Sequence, residues 1–206
     1  MSNDGVSLFF ALLAVAGLVF VLATIVVAIV ARTKGLGPGL TTVRSEVEDV
    51  ALPFACAVAV TCTLGSLYMS EIRHFEPCVF CWYQRICMYP LVVLLGIAAL
   101  RRDRGIWRYA LPIALIGAAI STYHYLHERF PESVSTACSL EASCSTLWIW
   151  EFHFLSIPGM AWVGFVLIST LLLIARSAER RDGPVRSDAV GAEDRMTATE
   201  PEEVPA

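Results

Sequence analysis

The chain has 206 residues, of which 56% are hydrophobic and only 17% are charged, whereas a soluble domain carries roughly 25% charged residues. Its formal net charge is −4, and its sequence has no basic patch with interleaved aromatic residues of the kind that binds nucleic acid. The composition therefore indicates an integral membrane protein, and it excludes an ordinary soluble domain and a nucleic-acid-binding protein.

Five apolar segments reach the roughly 20 residues that a membrane-spanning helix needs. In chain order they are about Val6–Val30, Ala51–Ser70, Val79–Leu100, Ile106–Leu126 and Ile157–Ala175. Because lipid offers no hydrogen-bond partners to the backbone, we expect each segment to be an α-helix. The predicted fold is an all-α, polytopic membrane protein.

The segments divide the chain into four regions. Residues 1–34 form an extra N-terminal transmembrane helix, which we expect to be retained, because its apolar run is longer than that of a signal peptide and no basic residue precedes it. Residues 35–50 are a cytoplasmic linker, and residues 51–176 are a bundle of four transmembrane helices. Residues 177–206 contain too few apolar side chains to form a core and are predicted to be a disordered cytoplasmic tail.

Lysine and arginine in short loops mark the cytoplasmic side of a membrane protein. With five helices, one side receives nearly all of them: Arg32, Lys34, Arg44, Arg101, Arg102, Arg104, Arg108, Arg176, Arg180, Arg181 and Arg186. The other side has only Arg73 and Arg129. The pattern predicts a multi-pass protein of the cell membrane, with its N-terminus outside and its C-terminus in the cytoplasm.

This topology places two cysteine pairs outside, where disulfides persist. Cys78 and Cys81 lie at the outer end of the third segment, and Cys138 and Cys144 lie in the longest internal loop. The remaining cysteines fall inside spans, where packing is the simplest role; they are Cys56, Cys62 and Cys87.

The Cys-x-x-Cys motif at Cys78 and Cys81 is typical of thiols with a lowered pKa. Pro77 precedes it, so Cys81 should lie in the first turn of a helix, where the unpaired N–H groups favour a thiolate.

Arg85 follows Cys81 one turn later on the same face of the helix. An arginine inside a span is costly and often functional. It could stabilise a thiolate or hold an oxygen-bearing ligand, with Gln84 beside it. Alternatively, Arg85 snorkels to the headgroups and Gln84 is an interfacial polar residue.

Five residues separate Cys138 from Cys144. The pair could be a structural disulfide, or it could exchange electrons with the first pair by thiol–disulfide exchange. A zinc site fits less well, because zinc ligands are usually separated by two to four residues. The sequence has no Cys-x-x-Cys-His haem motif and no Gly-x-Gly-x-x-Gly nucleotide motif. A relay would therefore need an acceptor dissolved in the bilayer, and a quinone, either ubiquinone or menaquinone, fits that requirement.

The segment Pro77–Arg85, with sequence PCVFCWYQR, resembles the signature of the disulfide bond formation protein B family (DsbB, with its BdbC relatives). The cysteine pair between the last two of four helices and the Ile157–Met160 segment resemble it too, and the resemblance covers about residues 51–176. It implies a four-helix bundle that oxidises a DsbA-like thioredoxin-fold partner and reduces quinone.

Roles for individual residues follow from this resemblance alone. Cys138 would be attacked by the partner's thiolate, and Cys144 would then resolve with the first pair. Cys81 would lie nearest the quinone with Arg85 beside it. A histidine late in the third core helix also belongs near the quinone, with His124 the better candidate and His127 the runner-up.

The chain departs from the best-known family form in its extra N-terminal helix, its short loop between the second cysteines and its acidic tail. Two rival functions stay open: a vitamin K epoxide reductase-like thiol enzyme, and a non-enzymatic membrane scaffold or metal-binding protein with structural disulfides. The aromatic run Leu147–Phe154 is either an interfacial belt or a surface that contacts the partner or covers the quinone site.

Overall fold

The computed structural model of the protein describes residues 4–34, 38–130, 152 and 155–197. Within these residues it has five long helices: α1 (Asp4–Lys34), α2 (Pro38–Leu67), α3 (Val79–Arg101), α4 (Trp107–Arg129) and α5 (Ile157–Thr197). A π-helical turn, Tyr68–Ile72, extends α2, and a 3-10 turn, Arg104–Ile106, precedes α4. All five helices are long and apolar enough to cross a membrane, which confirms the predicted polytopic all-α fold.

Helices α2 to α5 form a four-helix bundle. Helix α3 packs against α2 and α4, and α5 packs against the same two helices from the opposite side. The largest fully buried side chains come from α3 and α5: Leu91, Leu95, Phe165, Ile168, Leu171 and Leu172. Helix α2 contributes a buried row of alanines at four-residue spacing, Ala51, Ala55 and Ala59. Small residues in such a row let membrane helices approach closely.

Helices α4 and α5 pack closely at Gly117. The Phe165 ring lies directly over Gly117, so a Cβ atom at this glycine would overlap the ring. Phe165 is itself completely buried. Glycine therefore lets the largest buried side chain of α5 fit against the backbone of α4.

Helix α1 lies outside the bundle and packs mainly on α5. Ala11 and Ala14 form a small buried cluster with Leu155 and Val163. The rest of the helix surface is strongly apolar and exposed, as expected for a helix that faces lipid.

Helix α2 begins earlier than predicted. It starts at Pro38, so most of the predicted linker, 35–50, is helical. Proline is favoured in the first turn of a helix, and two ion pairs hold this part in place. Arg44 contacts Glu48 at 2.9 Å one turn away on the same helix, and Arg104 contacts Asp49 at 2.8 Å from the turn before α4.

Helix α5 also extends further than predicted, with helical backbone as far as Thr197. This differs from the prediction of a disordered tail from residue 177. The first turn of that region is anchored on α4, because the indole Nε1 of Trp107 donates a 2.7 Å hydrogen bond to Glu179. The Arg176 guanidinium also lies 4.2 Å from the centre of the Trp107 ring, within the range of a cation–π contact.

Candidate active site

Cys78 and Cys81 are placed by the start of α3. Cys78 has an extended backbone and is the residue immediately before the helix, while Cys81 lies in its first turn. The carbonyl of Cys78 accepts the N–H of Trp82 at 3.1 Å, which closes that turn. As a result the two sulfurs lie 3.4 Å apart, and a small movement would bring them to bonding distance.

His124 comes to this pair from α4. Its Nε2 lies 3.5 Å from the Sγ of Cys78, and its Nδ1 lies 3.3 Å from the amide nitrogen of Gln84. All three residues are buried. If the Gln84 amide donates to Nδ1, the proton of a neutral imidazole lies on Nε2 and points at the Cys78 sulfur.

These contacts change the acidity of Cys78. The hydrogen bond with Cys81 is the largest influence, and His124 adds a hydrogen bond and a favourable charge interaction; together they outweigh burial and lower the pKa of Cys78 to about 4. The sequence favoured a thiolate at Cys81, from its position in the first helical turn. The contacts in the structure instead lower the pKa of Cys78, because this sulfur has hydrogen bonds with both Cys81 and His124.

Arg85 points into the bundle. Its side chain is buried, its Nε donates to the Ser66 hydroxyl at 2.9 Å, and its Nη2 donates to the Ser66 carbonyl at 3.0 Å. Its guanidinium also lies 5.3 Å from the centre of the Trp82 ring. Two bonds to Ser66 use only two of the five guanidinium N–H groups, so Arg85 retains donor capacity.

A cavity of about 500 Å³ connects these residues. Its polar end is lined by Cys78, Cys81, Gln84, Arg85, Ser66, His124 and Glu128. From there it continues between α1, α2 and α5, where nearly all the lining side chains are apolar. The structure thus brings together five of the residues singled out from the sequence: Cys78, Cys81, Gln84, Arg85 and His124.

His127, the runner-up histidine, lies in a different position. Its ring stacks near Phe80, with centroids 6.0 Å apart, and neither of its ring nitrogens has a hydrogen-bond partner among the described residues. It does not line the cavity. Phe80 also packs against the His124 ring at 5.5 Å, so this phenylalanine positions the histidine that contacts sulfur.

Sequence reasoning missed several polar residues at the cavity, among them Ser66 and Glu128. Ser66, which anchors Arg85, was read only as part of an apolar span. Glu128 was read as the first residue of the outer loop, but α4 extends to Arg129 and carries Glu128 into the cavity wall. The sequence could have indicated this position, because Glu128 follows His124 by four residues and such a pair shares one helix face.

The remaining predicted site residues lie outside the described residues. These are Cys138 and Cys144, together with most of the aromatic run Leu147–Phe154, of which Phe152 and no other residue is described. Within the described part of the chain, the ligand atoms of Cys78, Cys81 and His124 lie within 4.8 Å of one another. Such a set is chemically suited to zinc, although the sequence predicted no metal site.

Comparisons with known proteins bear on this geometry. The family model of "Disulfide bond formation protein DsbB" matches residues 48–175, more than half of the chain. The chain belongs to the DsbB family. The matched region covers α2 from residue 48 onward, α3, α4 and the apolar part of α5, whereas α1 lies outside it.

Three relatives agree with this assignment. The chain is 45% identical over 133 residues to "Probable disulfide formation protein C 1" of Bacillus cereus, a match that covers 64% of this chain and 95% of the relative. It is 47% identical over 120 residues to "Disulfide bond formation protein C" of Bacillus subtilis, covering 58% and 87%. It is 41% identical over 131 residues to "Probable disulfide formation protein" of Coxiella burnetii, covering 62% and 88%. No solved structure matches the chain.

Membership of the DsbB family makes this chain a multi-pass membrane protein-disulfide oxidoreductase that acts in disulfide bond formation. It favours a thiol oxidase over the vitamin K epoxide reductase-like enzyme and the inert scaffold.

Proposed function

We propose that this DsbB-family protein is a quinone-dependent thiol oxidase. It takes two electrons from the dithiol of a DsbA-like thioredoxin-fold partner and delivers them to a quinone in the bilayer. Protein disulfide formation outside the cytoplasm then continues for as long as quinone is supplied. The quinone acts as a substrate that enters oxidised and leaves as the quinol.

One observation carries the proposal: the Cys78–Cys81 pair opens into a cavity whose far part is apolar and whose near part holds a buried arginine. A quinone likewise has a polar part and an apolar part, because its ring bears two carbonyl oxygens and carries an apolar tail. The guanidinium of Arg85 can donate to a carbonyl oxygen, and the apolar walls between α2 and α5 suit the tail. The amide of Gln84 is a second polar group at the same end of the cavity.

The electron path follows the rules of thiol–disulfide exchange. The partner's thiolate attacks Cys138 of the Cys138–Cys144 disulfide, and the partner's second thiol then displaces Cys138, which leaves the partner oxidised and this pair reduced. Cys144 then attacks the Cys78–Cys81 disulfide, and Cys138 displaces Cys144 from the resulting mixed disulfide, which re-forms Cys138–Cys144 and leaves Cys78 and Cys81 reduced. Reduced Cys78 and Cys81 finally lose two electrons and two protons, and the quinone gains both.

The arrangement around Cys78 supports the last step. A thiolate is the nucleophilic form of cysteine, and the contacts with Cys81 and His124 lower the pKa of Cys78. A ring nitrogen of the neighbouring imidazole can accept a proton and release it again. His124 is therefore proposed to hold the proton that leaves the dithiol as quinone is reduced.

The distribution of basic residues supports one orientation in the cell membrane. In that orientation the N-terminus and both cysteine pairs lie outside, and the C-terminus lies in the cytoplasm. The end of the bundle with Cys78 then faces the compartment in which the partner works.

The deciding experiment mixes purified protein in nanodiscs with a reduced thioredoxin-fold dithiol oxidase and a quinone, and follows quinone absorbance. We expect one quinone to be reduced for each partner disulfide formed. The Cys78→Ala/Cys81→Ala double variant is the matched control and should reduce none. Oxidation of the partner by the wild-type protein without any loss of quinone would contradict the proposed acceptor.

A further inference from the structure

Helix α1 forms part of the wall of the cavity, although it lies outside the part of the chain that matches the DsbB family model. Six of its residues line the cavity: Phe10, Leu13, Ala14, Ala16, Gly17 and Phe20. This face carries only apolar groups, so it provides surface for an apolar ligand and no hydrogen-bonding side chain.

The position of α1 is held by contacts on both sides of the groove between α2 and α5. On α5, a Cβ atom at Gly17 would lie 3.2 Å from Leu167 and 3.3 Å from Val163, so the two helices approach closely there. On α2, the Phe10 ring lies against Gly65, and Phe20 packs edge-on to Phe54 with ring centroids 6.1 Å apart. Helix α1 therefore covers the groove and separates it from the surrounding lipid.

Helix α1 does not close the groove completely, and a gap remains between α1 and α2. Leu13 and Ala16 of α1 line the cavity and are also exposed on the outer surface. Phe54 and Ala57 of α2 share both properties. Residues that face the cavity and the outer surface together mark its mouth, which therefore lies between α1 and α2 at the depth of the membrane.

We propose that α1 is the outer wall of the channel for the quinone's tail, and that this channel opens sideways into the lipid between α1 and α2. The inference rests on the proposed function and deepens it. The ligand class is a quinone with a long isoprenoid tail: its head reaches the polar end near Arg85, and its tail passes along α1 and leaves through the mouth. Helix α1 then determines preference for tail length without touching the reacting sulfurs.

The test narrows the mouth with Ala16→Phe. Because Ala16 is exposed, the larger ring can be accommodated without repacking the bundle core. The matched control is Ala23→Phe, seven residues along the same helix, where the alanine is exposed but does not line the cavity. A second pair, Leu13→Phe against Leu12→Phe, repeats the comparison with adjacent leucines, of which Leu13 alone lines the cavity.

Binding is measured on the oxidised protein in nanodiscs, where no electrons are available, by quenching of tryptophan fluorescence with a long-tail ubiquinone and with its tail-less head-group analogue. We expect Ala16→Phe and Leu13→Phe to weaken binding of the long-tail quinone about tenfold and to leave the analogue unchanged. The two control variants should match the wild type with both ligands.

Equal losses for both quinones, or no loss with either cavity-lining variant, would overturn the role of α1. These results are distinct from a failure of the proposed function itself. In that case the wild-type protein would neither bind the head-group analogue nor reduce any quinone.

Discussion

The imidazole of His124 lies 3.5 Å from the sulfur of Cys78, although the two residues are 46 positions apart in the chain. Helix α4 brings the histidine to the cysteine from one side, and Cys81 approaches from the other at 3.4 Å. The Cys78 sulfur is therefore placed between a second thiol and a titratable ring. The reactivity of this cysteine should depend on both neighbours.

The first prediction concerns the pH dependence of Cys78. A pKa of about 4 means that the thiolate is already formed above pH 4, so alkylation of Cys78 in the reduced protein should be nearly constant between about pH 5 and pH 8. An ordinary thiol loses roughly tenfold in rate for each pH unit below its pKa of about 8.5. Mass spectrometry of iodoacetamide-treated protein gives the rate for each cysteine.

Substitution of His124 removes one of the contacts that lower this pKa. In His124→Ala the pKa of Cys78 should rise, and alkylation at pH 5 should slow relative to pH 8. The matched control is His127→Ala, because that ring lies one turn away and contacts Phe80. A pH profile that is the same in His124→Ala and the wild type would show that the histidine does not support the thiolate.

The second prediction concerns Arg85. A hydrogen bond from a charged donor contributes about 1.5–3 kcal/mol, so Arg85→Ala should raise the KM for quinone by about tenfold to a hundredfold. Arg85→Lys keeps the charge but lacks the planar guanidinium whose Nε and Nη2 bond Ser66, so its KM for quinone should lie between those of the wild type and Arg85→Ala. Quinone reduction by the purified variants gives the KM, and alkylation under non-reducing conditions checks that both disulfides still form.

Arg73→Ala is the control for the second prediction, because Arg73 lies near the same end of the bundle but does not line the cavity. It should leave the KM for quinone unchanged. Wild-type kinetics in Arg85→Ala would mean that the buried guanidinium holds α2 and α3 together and does not bind the acceptor.

The third prediction concerns the second cysteine pair. In Cys144→Ala, Cys138 is left as a single thiol that can attack the disulfide of the oxidised partner, and Cys144 is no longer present to resolve the product, so a mixed disulfide between Cys138 and that protein should accumulate. Non-reducing electrophoresis after acid quenching would show the adduct as an additional band, which disappears when the sample is treated with a reducing thiol. Cys62→Ala, which changes a cysteine in the apolar part of the cavity wall, should give no such band. Absence of the adduct in Cys144→Ala, with oxidised partner present, would count against the proposed exchange between the partner and Cys138.

The fourth prediction concerns packing between α4 and α5. Because a Cβ atom at Gly117 would overlap the Phe165 ring, Gly117→Ala should destabilise the bundle by about 1–3 kcal/mol, the usual cost of overpacking. Gly96→Ala is the matched control, since its Cβ would meet nothing closer than the Cys56 sulfur at 3.8 Å. Thermal unfolding in detergent compares the two, and an equal midpoint for both variants would refute the close contact.

Much of the fold could be predicted because the membrane constrains it strongly. Long apolar segments must be helices in lipid, so all five spans follow from composition. The predicted starts of the third and fifth helices, at Val79 and Ile157, agree with the structure. The extensions of α2 and α5 beyond their apolar segments could not be predicted, because they are held by contacts between distant residues such as Trp107 and Glu179.

The candidate site also has a part that the sequence could predict and a part that it could not. Cys78, Cys81 and Arg85 lie within eight residues of one another, and helix geometry alone places them together. No spacing rule connects His124 with Cys78, so that residue was selected through resemblance to the DsbB family. The position of α1 could not be predicted for a different reason. This helix is apolar on every side, so no sequence pattern marks the face that packs on α5.

The packing of α1 on α5 has a consequence for how the protein is made. A ribosome delivers the helices in chain order, so α1 enters the membrane first and its main packing partner enters last. Until α5 is inserted, Ala11 and Ala14 have no Leu155 and Val163 to pack against. The groove that α1 covers then has its α2 wall but not its α5 wall. The cavity is thus completed at the end of synthesis, and an unfinished chain has no enclosed path from the bilayer to its cysteines.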